Sequence, residues 1–135
     1  MIVSGEFSVT LRPLDPFHLG SESNKLARMS IDKVFHGALS GESKGEMLNV
    51  RTAKAGSAGY VAIEEVSGTL NGLSGCFVLQ HFGVMADGAD RLCLEVVPDS
   101  GTHQLRGLSG SMQIRIEQGQ HFYDFDYQLP QKDED

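Results

Sequence analysis

Residues 112–129 read MQIRIEQGQHFYDFDYQL. Met112, Ile114 and Ile116 alternate with Gln113, Arg115 and Glu117, and after Gln118-Gly119 the chain returns with Tyr123, Phe125, Tyr127 and Leu129 on one parity. Extended backbone turns successive side chains to opposite faces, so this period of two predicts a β-hairpin with one apolar face. The other face of the returning strand carries Phe122, Asp124, Asp126 and Gln128.

The same alternation recurs upstream. Residues 91–97 place Leu92, Leu94 and Val96 together, and residues 76–82 are apolar on both parities, which predicts a central strand. Tyr60, Ala62 and Glu64 share one parity of residues 60–66; Leu48 and Val50 mark a return strand; Met29, Ile31 and Phe35 mark another. Phe7, Val9 and Leu11 alternate with Glu6, Ser8 and Thr10 until Pro13 and Pro16 end the run. Residues 15–24 are polar and turn-rich, a connection of the length that carries a lid or plain surface loop.

Glycine is the punctuation: 16 residues, with Gly-x-Leu-x-Gly or Gly-Leu-Ser-Gly units at 37–41, 68–75 and 107–110. None of these units opens a helical segment or runs into Gly-Lys-Ser, so they predict bends rather than phosphate cradles. Eight or nine strands with almost no helical period need their edges closed. The expected fold is therefore an all-β antiparallel closed barrel, with a two-sheet β-sandwich as the alternative.

The 135 residues suffice for one core, expected over residues 1–130, with residues 131–135 as an acidic, disordered tail. A formal charge of −7 with scattered Lys and Arg argues against nucleic acid as a partner, and no apolar run is long enough to span a bilayer. The first residues lack the basic-then-apolar pattern of a secretory signal, so a cytoplasmic location is expected. Cys76 and Cys93 are the two cysteines; pairing residues 77–82 with 91–97 around 86–90 puts Cys93 opposite about Gln80, and Leu92 opposite His81. The cysteines then do not face each other, which predicts free thiols.

Five segments together resemble one family: Gly45-Glu46-Met47-Leu48, residues 56–62 (GSAGYVA), residues 77–81 (FVLQH), the turn of residues 96–102 (VVPDSGT) and residues 121–127 (HFYDFDY). The chain resembles the bacterial domain of unknown function 3224 family over nearly its whole length. That resemblance implies a compact barrel related in shape to allene oxide cyclase, whose barrel holds an apolar fatty-acid epoxide. It also implies a link to aspartic-type self-cleavage, for which the matching residue is Asp124.

Several residues could carry chemistry. Asp124 and Asp126, two apart on one strand face, could do acid and base work if dry, with Glu95 as a helper, although Arg115 diagonal to Asp124 would neutralise it. Arg106 is a poor nucleophile and suits a salt bridge or a ligand contact better. His81, preceded by Gln80, could be a general base in a pocket or a hydrogen-bonded structural residue. Glu46 and Glu64 each share parity with apolar neighbours and could point inward, where barrel polar groups orient a ligand, or be turned outward by an irregular bend. The histidines never recur at i+2 or i+4, so no local metal site and no cofactor is expected.

The leading functional expectation is a barrel that binds a small, partly apolar molecule in its cavity through Glu46, Glu64, His81, Gln80 and Arg106. The alternative is a self-cleaving aspartic-type peptidase acting through Asp124, with Asp126 or Glu95. Association into a homo-oligomer is a further possibility, C2 being the commonest symmetry.

Overall fold

The computed structural model describes residues 1–87 and 89–131. Eight strands follow one another: β1 (Ile2–Leu14), β2 (Asn24–Gly37), β3 (Leu39–Thr52), β4 (Ala58–Leu70), β5 (Leu73–Ala86), β6 (Ala89–Val96), β7 (Ser109–Glu117) and β8 (Gln120–Gln128). Each pairs antiparallel with the next, and β1 closes on β8, with Phe7 opposite His121 and Ile2 opposite Asp126. The sheet is a closed barrel and not a sandwich. No described helix is long and apolar enough to cross a membrane.

The up-and-down order divides the connections between two ends. One end holds the β2–β3, β4–β5 and β6–β7 connections, and all three glycine units of the sequence lie there. At its β4–β5 turn, Asn71 and Gly72 have φ of 49° and 82°, the left-handed pair that a two-residue hairpin needs to match strand twist. Residues 97–108 cross this end with a 3-10 turn, His103–Leu105, and bury Leu105 and Leu108 as a plug.

Above the plug the inward residues of every strand pack as one core: Phe7, Phe35, Val66, Phe77, Leu94, Met112 and Phe125 among them. Phe77 stacks on Phe125 at 5.8 Å between ring centres, and Phe35 meets Tyr123 edge-on at the same separation. The Leu39 amide donates to Tyr123 Oη at 3.0 Å, and that hydroxyl lies 2.9 Å from the Leu39 carbonyl, which ties β8 to β3 through the core. Tyr123, Phe125 and Tyr127 are buried, as their alternation predicts.

The β5–β6 register differs from the sequence expectation by two residues. Ala86 already pairs with Ala89, so His81 stands opposite Leu94 and Phe82 opposite Cys93. Both cysteines are free, Cys93 on the outer surface. Of the expected tail, residues 132–135 lie outside the described residues.

Candidate functional site

The inward row of β4 runs Tyr60, Ala62, Glu64, Val66, and Glu64 is fully buried on it. A lone carboxylate there would be prohibitive, and every acceptor is met. Oε1 accepts from Lys33 Nζ at 3.1 Å and lies 3.0 Å from His81 Nε2; Oε2 accepts from Ser43 Oγ at 2.9 Å. Lys33, Ser43 and His81 are themselves buried, on the inward faces of β2, β3 and β5. The Lys33 ammonium also faces the Phe7 ring at 5.0 Å.

Burial pushes the Glu64 carboxyl up, but the His81 hydrogen bond and the Lys33 charge outweigh it and hold the group below its ordinary value. Glu64 is thus an anion beside a cation. Because a carboxylate takes only donors, Nε2 of His81 carries a proton toward it, and Nδ1 faces Tyr60. Tyr60 Oη lies 3.5 Å from that nitrogen. Burial, then the Glu64 charge, pushes the Tyr60 hydroxyl up to about 12, so it stays protonated. The result is one chain of polar groups, Tyr60 to His81 to Glu64, anchored by Lys33 and Ser43.

Two glycines make this packing possible. Gly45 stands opposite Glu64, and a Cβ there would fall on the Ile63 carbonyl and 2.6 Å from Glu64 Cα. A Cβ on Gly83 would enter the Tyr60 ring, so the bare backbone of β5 seats that ring.

Tyr60 also belongs to a cavity of about 510 Å³ at the end of the barrel opposite the plug. Met47, Met85 and Leu92 supply apolar walls; Asn49 and Arg51 add polar groups from the inward parity of β3. Lys54 and Asp87 form an ion pair of 2.6 Å at its edge. Among the described residues Arg51 has no carboxylate within salt-bridge distance. The barrel therefore has a packed lower half, a buried polar layer and an open upper chamber.

Of the residues singled out from sequence, the structure brings Glu64 and His81 together and leaves the others apart. Glu46 is on the outer face of β3, where Arg28 Nε donates to it at 2.7 Å. Gln80 is exposed on the outer face of β5, and Arg106 is exposed at the plugged end. Asp124 also faces outward. It accepts from Arg115 Nε at 2.7 Å and Ser4 Oγ at 2.6 Å, and the Arg115 contact followed by the Ser4 contact holds its carboxyl below the ordinary range. Asp126 is exposed, 3.6 Å from the amino terminus, and Glu95 is exposed, accepting from the Cys93 thiol at 3.4 Å.

Sequence reasoning passed over Lys33, Ser43 and the role of Tyr60. Lys33 had a signal, since it shares parity with Met29, Ile31 and Phe35; Ser43 had none.

A family model described as protein of unknown function (DUF3224) matches residues 3–127. A crystal structure of a protein with unknown function from that family, from Shewanella oneidensis MR-1, superposes with a TM-score of 0.95; the two chains are 52% identical over 98% of each. No curated protein matches the chain.

Proposed function

Starting from the chain's membership of the DUF3224 family, shown by the match over residues 3–127, we propose that this barrel binds a small molecule in its upper chamber. The ligand would have an apolar body and a polar or anionic group. The observation that carries this reading is the chamber of about 510 Å³ above Tyr60, within the size range of small-ligand sites. Met47, Met85 and Leu92 would cover the apolar part, and Arg51, without an ion-pair partner among the described residues, would meet the polar head. The Tyr60–His81–Glu64 chain beneath would keep the floor rigid, because each group is held by the next.

Decanoate is a suitable probe, with decanol as its uncharged counterpart. Heteronuclear NMR titration is expected to give saturable shifts at the amides of Asn49, Arg51, Tyr60, Met85 and Leu92. Met85→Trp, which fills the chamber, is expected to remove them. Shifts confined to the outer surface, or persisting unchanged in Met85→Trp, would reject the reading.

The alternative, self-cleavage through Asp124, draws support from the carboxylate's fixed position between Arg115 and Ser4. Its partial exposure and its stabilised anionic form weigh the other way, since attack on a backbone carbonyl gains from desolvation. Intact-mass measurement over several days separates the two: fragments in wild type and none in Asp124→Ala would establish it.

A further inference from the structure

The outer surface of β2–β6 divides sharply along the strand direction. Its lower half alternates charges, as in the cross-strand row Asp32, Lys44, Glu65. Its upper half does not. One row runs Leu26, Val50, Gly59, Val84, and the next runs Leu48, Val61, Phe82, with Ile63 following on β4. Leu48, Val61, Ile63 and Phe82 are 46% to 57% exposed although they point away from the barrel interior. Strand spacing and rise give this apolar centre a projected area of roughly 400 Å², the scale of the largest apolar patch on a lone domain, which is often a functional one.

From this surface we infer that two copies of the chain pack face to face through β3–β5. Shape, charge and size favour a second copy as the occupant. Leu48, Val61 and Phe82 form a ridge with a groove on each side, about 310 Å³ toward Val50 and Val84 and about 640 Å³ toward Ile63 and Gln80. A two-fold axis lying in the interface parallel to this row, between it and the Ile63 row, seats each ridge in the other copy's larger groove and stacks Val61 on Ile63 of the second copy. The rim is self-complementary in charge. Arg28 and Arg91 balance Glu46 and Glu95, so this face can meet itself although the whole chain carries −7. The same axis brings Arg28 beside Glu46 of the second copy. With its rim the face projects about 650 Å², approaching the ~800 Å² per partner of a standard stable interface.

Sedimentation equilibrium at 5–100 µM, about the range where such an interface is populated, is expected to give twice the chain mass for wild type. Val61→Lys is expected to give the monomer mass, with association weakened at least about 100-fold, the equivalent of a charge buried without a partner. Should Val61→Lys fail to fold by circular dichroism, Arg28→Glu and Glu46→Arg serve instead: each is expected to weaken the dimer and the double reversal to restore it. Lys44→Glu, on the polar half of the same face, is expected to leave the mass unchanged. A wild-type monomer at 100 µM, a dimer indifferent to Val61→Lys and to both reversals, or a monomer that floats with phosphatidylcholine vesicles would each overturn the inference.

Discussion

Glu64 is the residue on which the interior polar layer hangs. Removing its side chain strands the Lys33 ammonium, so Glu64→Ala is expected to lose about 3–5 kcal/mol, measured as a lower urea midpoint. Lys33→Met together with Glu64→Leu should recover much of that loss, because both charges leave together while only His81 and Ser43 give up a partner. Acid adds a second test. The Glu64 carboxyl sits below its ordinary 4.5 in the fold, since the His81 and Lys33 contacts outweigh burial. The unfolded chain therefore takes up this proton first, so its stabilisation is complete above about pH 4.5 and is lost as pH falls through the folded value. Unfolding followed by circular dichroism should weaken below that pH, and Glu64→Gln should flatten the dependence more than Asp124→Asn, whose carboxylate is partly solvated and screened. The inward position of Glu64 was legible from its parity with Tyr60 and Ala62. The same argument left Glu46 open to either side beside Leu48 and Val50, and the structure sets it outward because those two apolar residues belong to the outer patch. Apolar neighbours mark the inside only where the outside is polar.

At the scale of single elements, β6 is the weakest stave. Its ladder to β7 contains only Leu94 with Met112 and Glu95 with Ser111, whereas the other seams run six to thirteen residue pairs. Fewer paired groups must separate for water to enter there, so the amides at this seam are expected to exchange fastest among the eight in native-state hydrogen exchange. Faster exchange at the β1–β8 closure would contradict that. β5 shows how an element serves the site through what it lacks. Gly83→Ala places a methyl in the Tyr60 ring, and the ring must swing away from His81. The expected result is loss of the Tyr60–His81 contact in NMR and weaker decanoate binding, with the remaining strands unchanged. The alternation of β7 and β8 was readable directly. The β5–β6 register was not, because a chain turning one residue earlier shifts every cross-strand partner without altering the pattern of either strand.

The molecule as a whole is a closed sheet with one core, and its halves differ in filling: aromatic packing and a plug below, a chamber above. Phe125 touches Phe77 and Tyr127 in the packed half, so Phe125→Ala is expected to lose about 3–5 kcal/mol in a single cooperative urea transition. Loss of the chamber end alone, seen as two transitions, would show that the halves are separate units. By itself the sequence determined the strand period, the number of strands to within one, the glycine-marked bends and the all-β class, since these depend on neighbours one or two residues apart. Only the tertiary structure decided between barrel and sandwich, joined Lys33, Ser43, Glu64 and His81 from four strands, and separated a filled from an unfilled half. Those outcomes depend on which strands meet and in what register, and the distance along the chain between Lys33 and His81 holds no record of either.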